Sequence, residues 1–311
     1  MASTIAFVMD PMEGIGVEAD TSFAFMLAAQ SQGSRVFHVS PGDISLHGAD
    51  ISLGGRFVEV FDRAGDHFRV VETARIWARD CHAIFIRTDP PFDEDYLMAT
   101  WLLSFAERQG VRVVNSPAGI RAANEKLYAL EFAEHCPTTL VTSSQTEVLQ
   151  FLESYGGSGI AKPLNGHGGF GVLKVSTDDS NTKAIIDLLT HEGDRPILVQ
   201  EFLPEAAQGD KRIILVDGTI RGGIMRVPRE DDHRGNVHVG GQVVSCEIDE
   251  ADRKIEKAMS ERLRADGLYF VGIDVIAGKL IEVNVTSPTL VREIKRLGGP
   301  DIATEVIRSL F

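Results

Sequence analysis

Three oxygen-bearing side chains near the C-terminus are spaced to suit a hard divalent cation. Glu282 and Asn284 lie two apart in the apolar run Leu280-Ile281-Glu282-Val283-Asn284-Val285, so on a strand they share one face. Asp274 sits in the preceding apolar run, Val271-Gly272-Ile273-Asp274-Val275-Ile276. An unpaired carboxylate among such neighbours is costly, so each needs a partner. Oxygen-only donors favour Mg2+, which takes a few carboxylates and completes its shell with substrate phosphates. The competing account of the same residues is a solvated strand face.

A phosphate site is suggested upstream by Asn165-Gly166-His167-Gly168-Gly169-Phe170-Gly171, four glycines between two strand-like segments. Amides without side chains can close over phosphate oxygens. The segment lacks the Gly-Lys-Ser/Thr of a P-loop, and a strand follows where a P-loop or a dinucleotide fingerprint requires a helix. Alone it reads as a flexible hairpin tip. Lys162 changes that reading, because it places a cation in the apolar strand Ile160-Ala161-Lys162-Pro163, where phosphate is a suitable partner. Lys126, on a helix predicted upstream, supplies a second cation or else belongs to a solvated helix face.

Further cations fall in the same half of an acidic chain of net charge -14: Lys211, Arg212, Arg226, Arg234 and Arg292. Bringing a carboxylate to a polyphosphate opposes like charges, at about 4 kcal/mol per unit pair 4 Å apart and an effective dielectric of 20. Mg2+ and arginine forks would offset that repulsion, although each arginine taken singly is equally well a surface charge. Ser287-Pro288-Thr289 has the form of an N-cap and first helical turn, which either binds an anion or only caps. The histidines, among them His38, His67, His167 and His238, show no zinc spacing, and no serine sits in a G-x-S-x-G elbow.

The elements that must hold these residues are legible in the apolar pattern. Residues 3–9 (STIAFVM), 82–87 (HAIFIR) and 111–115 (VRVVN) read as strands, with helices over 21–32 and 94–109, which predicts a parallel sheet covered by helices. Residues 56–61 and 67–71 read as an inserted hairpin around Ala64-Gly65. Beyond about residue 120 the pattern becomes α+β: a helix holding Asn124-Glu125-Lys126, strands over 159–163, 172–176, 196–202, 212–217, 269–276 and 280–285, and a charged helix over 250–266. We therefore expect units over 1–122, 123–202 and 203–311. With 311 residues, 43% hydrophobic and 24% charged, the chain can bury such a core. The apolar start is short and interrupted by Asp10, so we expect no signal peptide or membrane span and a cytoplasmic protein. Its acidity argues against nucleic-acid and membrane partners. Cys81, Cys136 and Cys246 read as reduced packing residues.

Nearly the whole chain resembles the bacterial type of glutathione synthetase, within the ATP-grasp superfamily. The resemblance is carried by Val8-Met9-Asp10-Pro11, Arg87-Thr88-Asp89-Pro90-Pro91-Phe92-Asp93, Asn124-Glu125-Lys126-Leu127, Lys162-Pro163-Leu164 with its glycine loop, Gly209-Asp210-Lys211-Arg212, Arg234-Gly235-Asn236, and Asp274 with Glu282 through Thr289. It implies an ATP-grasp fold, α/β and α+β, with an N-terminal parallel-sheet substrate domain and two subdomains holding ATP between them. It implies that ATP phosphorylates the cysteinyl carboxylate of γ-glutamylcysteine and that glycine attacks the acyl phosphate. By that resemblance Lys126 and Lys162, with Asn165, Gly166, Gly168, Gly169 and Gly171, contact the phosphates. The backbone of Gln200, Glu201, Phe202 and Leu203 reads adenine, and Asp274, Glu282 and Asn284 hold Mg2+, two ions with Mn2+ as a substitute. Arg212 and Arg226 steady the acyl phosphate, while Arg87, Asp210, Arg212, Ser287, Pro288 and Thr289 hold the dipeptide. A homotetramer is also implied. Thr88, His167 and Phe170 depart from the usual pattern without removing a named ligand.

Two other readings keep nucleotide binding. One is an ATP-grasp amide synthetase acting on a different peptide or amino acid, which product analysis separates. The other is a non-catalytic ATP-binding regulator, which would not need all three oxygen donors. Residues 229–241, polar and holding Arg234 with four glycines or asparagines, have the composition of a lid that orders over the bound anions.

Overall fold

The computed structural model describes residues 2–228 and 242–311. The chain opens with β1 (Thr4–Val8), an apolar, β-branched-rich segment buried on both faces as a parallel strand demands. Helix α1 (Thr21–Ser31) follows, its first turn capped by the Asp20 carboxylate accepting from the Phe23 amide at 2.6 Å. It stops ahead of Gly33, whose φ of 82° turns the chain into β2 (Arg35–Val39).

Next come β3 (Ile44–His47), β4 (Asp50–Val60), β5 (Phe68–Trp77), β6 (Ala83–Ile86), α2 (Glu94–Arg108), β7 (Arg112–Val114) and α3 (Pro117–Ala122). Strands β2, β1, β6 and β7 run parallel in that order, and β4 pairs antiparallel with β2, β3 and β5. The inserted hairpin is present but longer than its apolar pattern announced. Most of β5 is exposed, so little of it repeats with period two.

Two antiparallel sheets complete the chain. The first holds β8 (Thr139–Thr142), β9 (Ser158–Pro163), β10 (Leu173–Ser176) and β11 (Ile197–Glu201) in the order β10-β9-β11-β8, with α4 (Gln145–Ser154) and α5 (Thr182–Thr190) packed on it. The second holds β12 (Asp210–Val216), β13 (Thr219–Val227), β14 (Gln242–Ser245), β15 (Phe270–Ile276) and β16 (Lys279–Asn284) in the order β14-β13-β12-β15-β16. Helix α6 (Glu250–Ala265) buries Ile255, Met259 and Leu263 against this sheet and starts at a capping box between Asp249 and Asp252.

The last two helices, α7 (Val291–Arg296) and α8 (Ile302–Arg308), return to the beginning of the chain. Ile294, Ile302, Val306 and Ile307 share one apolar cluster with Ile5, Phe7, Phe23, Phe25 and Met26, so the first and last elements stabilise each other by removing apolar area from water. Asn115 fastens the same junction. Its buried amide donates to the carbonyls of Phe270 and Val285, both at 2.8 Å, and accepts from the Phe270 amide at 2.7 Å. Among the described residues, no helix is long and apolar enough to cross a membrane.

Candidate active site

One row of charged side chains crosses four neighbouring strands of the C-terminal sheet. Asp210 and Arg212 are two apart on β12 and so face the same way, Arg226 on β13 lies opposite Asp210, Asp274 on β15 lies opposite Arg212, and Glu282 on β16 lies opposite Asp274. Arg212 grips Asp274 through both carboxylate oxygens, Nε to Oδ1 at 2.5 Å and Nη2 to Oδ2 at 3.0 Å. Arg226 joins two carboxylates, donating from Nε to Asp210 Oδ1 at 3.1 Å and pairing through Nη2 with Asp210 and, at 2.9 Å, with Asp274 Oδ2.

Burial alone would raise the Asp274 carboxyl, but Arg212 and Arg226 outweigh it and hold the group below the ordinary carboxylate range. For Asp210 burial prevails: despite Arg226 its carboxyl is raised, with the negative Asp274 nearby adding to the rise. Asn284 stands across from Gly272 and donates to its carbonyl at 3.3 Å. A Cβ on Gly272 would lie 3.0 Å from Pro288 Cβ and 3.3 Å from Arg212 Cδ, so the glycine leaves room for both.

The two lysines approach from the other side. Lys126 is buried and pairs with Glu282 Oε1 at 3.0 Å while donating to the carbonyl of Gly166. It sits on a turn, not the predicted helix, because the Asn124 side chain accepts from the Lys126 and Leu127 amides and diverts them from helical pairing. Lys162, buried on β9, donates to Gln200 Oε1 at 2.7 Å, and Gln200 in turn donates to Thr139 Oγ1 at 3.1 Å. Burial pushes the Lys162 ammonium down to about 8; Glu282, Asp274 and Asp210 oppose that shift and Lys126 adds to it. The charged faces of the two antiparallel sheets thus address one space.

The glycine segment forms the β9–β10 hairpin tip, with Gly168, Gly169 and Gly171 all at positive φ and Phe170 80% exposed. Asn124 Nδ2 donates to the Leu164 carbonyl at 3.2 Å and to Asn165 Oδ1 at 3.4 Å, which ties this tip to the Lys126 turn. Gln200 and Glu201 end β11, followed by Phe202, whose ring lies 4.0 Å from Lys174 Nζ, and by Leu203. Arg87 is buried at the end of β6, donating to Ser22 Oγ and to the Pro288 carbonyl, each at 2.9 Å, with the Phe25 and Phe270 rings beside it.

Several expectations change. Lys211 faces the opposite side of β12 and pairs with Asp249 and Asp252 at 2.7 Å each, and Arg292 pairs with Asp62 at 2.7 Å, so neither joins the row. Ser287-Pro288-Thr289 is not a helix start. Leu290, at φ 88°, separates it from α7, and the segment is a bend whose Pro288 carbonyl serves Arg87 and whose Ser287 hydroxyl donates to Asp89 Oδ1 at 2.8 Å. Arg234 and the predicted lid lie outside the described residues. Sequence reasoning gave no role to the side chains of Glu125, Ser22, Asn115 and Gln200. Only Glu125 had a local signal, its place beside Lys126.

Among the described residues no three His, Cys, Asp or Glu side chains form a metal cage. The expected set has two carboxylates and one amide, which suits Mg2+ completed by phosphates and water, so the donors fit.

The central and C-terminal sheets, with Lys162 on one, the charged row on the other and the Lys126 turn bonded to both Glu282 and the glycine tip, define an ATP-grasp fold, the architecture of ATP-dependent ligases. D-cycloserine synthetase DcsG shares it at a TM-score of 0.68 and 15% identity, covering 99% of this chain and 98% of that one. The ATP-grasp ligase PsnB, solved with a minimal precursor, Mg and ADP, shares it at 0.64 and 18%, covering 98% and 96%. The sequence profile of the prokaryotic glutathione synthetase ATP-grasp domain matches residues 125–299, and that of its N-terminal domain matches 4–121. The glutathione synthetase of Rhodopseudomonas palustris is 42% identical over 306 residues, 98% of this chain and 97% of the relative. The chain belongs to the prokaryotic glutathione synthetase family.

Proposed function

We propose that the chain joins γ-glutamylcysteine to glycine, consuming ATP through an acyl phosphate and releasing glutathione, ADP and phosphate. The observation that carries this reading is the row Arg226, Asp210, Arg212, Asp274 and Glu282 facing Lys126 and Lys162, because it juxtaposes cations for phosphate with carboxylates for Mg2+. Lys126 and Lys162 hold the phosphates, the glycine tip closes over them through its amides, and the backbone from Gln200 to Leu203 receives adenine. Asp274, Glu282 and Asn284 would hold Mg2+, as two ions or with Mn2+ in their place, and the metal would supply neutralisation of phosphate charge. Arg212 and Arg226 share their positive charge with the acyl phosphate, and Arg87, Asp210 and the Ser287 to Thr289 bend orient the dipeptide.

The division at residues 122 and 202, a homotetrameric assembly and a cytoplasmic setting, where ATP is supplied, belong to the same proposal. Mass spectrometry of a reaction with all three substrates should show glutathione and ADP in equal amounts. Label in the cysteinyl carboxylate oxygens of the dipeptide should appear in phosphate. ADP without peptide product would overturn the ligase reading, and unlabelled phosphate would exclude the acyl phosphate.

The depressed Lys162 ammonium gives a second expectation. Bound phosphate favours its charged form, so binding takes up a proton once pH exceeds about 8. ADP affinity, measured by calorimetry with Mg2+, should therefore fall by up to about tenfold for each pH unit above that value. Lys162→Met should bind weakly with no such slope. An equal slope in this variant would assign the titration elsewhere.

A further inference from the structure

Among the described residues strand β16, which carries Glu282 and Asn284, is the edge of its sheet, so the amides on its outer side have no strand there to pair with. Residue Glu125 meets them. Its carbonyl accepts from the Val283 amide at 2.9 Å, and its carboxylate Oε1 accepts from the Val285 amide at 2.9 Å, the Thr286 amide at 3.1 Å and Thr286 Oγ1 at 2.9 Å. Val283 and Val285 flank Asn284 and, being two apart, point the same way. One residue therefore replaces a neighbouring strand along the stretch bearing the expected Mg2+ donors. The next residue, Lys126, reaches Glu282 from the same turn.

We propose that Glu125 is a positioning residue that fixes the height of the Lys126 turn against β16 and so sets the distance between the phosphate-binding lysine and the Mg2+ donors. This rests on the roles given above to Lys126, Glu282 and Asn284. A tie made through backbone alone would leave Val285 and Thr286 free to shift. A side-chain oxygen is needed because one atom there must accept three hydrogen bonds, and an ionised group does so best. Holding a negative charge there has a cost: burial and the nearby Glu282 both push the Glu125 carboxyl upward, and the three hydrogen bonds pull against them.

The test is calorimetric binding of ADP with Mg2+ titrated, alongside KM values for ATP and for the dipeptide. Glu125→Ala should weaken Mg2+-dependent ADP binding at least tenfold and raise the KM for ATP, leaving the KM for the dipeptide within about twofold. Glu125→Gln, which keeps an acceptor of the same shape, should recover most of that loss. Should Glu125→Ala fail to fold, Thr286→Val, which removes one of the three bonds, should move the same two quantities about threefold. Unchanged Mg2+ dependence in the folded variants, or a uniform rise in every KM, would overturn the positioning role. Lys126→Ala and Glu282→Gln run in parallel: if these also bind Mg2+ and ADP normally, the fault lies in the reading of the site and not in Glu125.

Discussion

Glu282→Gln is expected to abolish turnover almost completely while leaving the fold in place. The substitution keeps shape and removes one negative charge from the centre of the expected donor set, between Asp274 across the sheet and Asn284 two residues on. Weakening metal-assisted charge neutralisation should lower turnover by roughly 10³-fold, equivalent to about 4 kcal/mol of transition-state stabilisation. The loss of stability should be small, because glutamine keeps an oxygen that can accept from the buried Lys126, and that lysine still donates to the Gly166 carbonyl. Steady-state rates over a range of Mg2+, with thermal melting of the same samples, decide the matter. Normal turnover at ordinary Mg2+ would remove Glu282 from the metal site.

Asp274→Asn should damage both activity and folding. Asp274 is the carboxylate that Arg212 and Arg226 share, and all three side chains are buried. Its loss leaves Arg212 without its paired carboxylate, whereas Arg226 keeps Asp210. Breaking one side of a buried, hydrogen-bonded charge pair costs about 3–5 kcal/mol, so chemical denaturation should show a loss of that order together with inactivity.

The pH dependence has a definite sign. A carboxyl held below its unfolded value binds fewer protons folded than unfolded, so its stabilisation is complete above about pH 4 and fades as pH falls further. Asp210, raised by burial, acts in the opposite sense and at higher pH, its contribution growing as pH falls from its raised folded value to about 4. The variant should therefore lose stability less steeply in acid than the wild type. Equal stabilities at neutral pH, or parallel acid limbs, would show that the shared carboxylate does not support the sheet.

The sequence by itself determined the elements with a strong local signature. Strands such as β1, β6, β15 and β16 are short apolar runs, α2 and α6 combine periodicity with a capping aspartate, and α1, buried on nearly all sides, has the same kind of cap, so backbone preference and burial agree at short range. The shared face of Glu282 and Asn284 on β16 and the cation on β9 were equally legible, since alternation along a strand fixes which residues share a face.

Tertiary structure alone decided which charges meet. Lys211 and Arg212 are adjacent and alike in charge, yet one serves the capping aspartates of α6 and the other serves Asp274, because consecutive strand residues face opposite ways and only strand order assigns each face a neighbour. Ser22 reaches Arg87 across 65 residues, and Asn115 reaches Phe270 across 155. Glu125 is the sharpest case. Its function depends on β16 being an edge, and an edge is a property of the assembled sheet that no local spacing encodes.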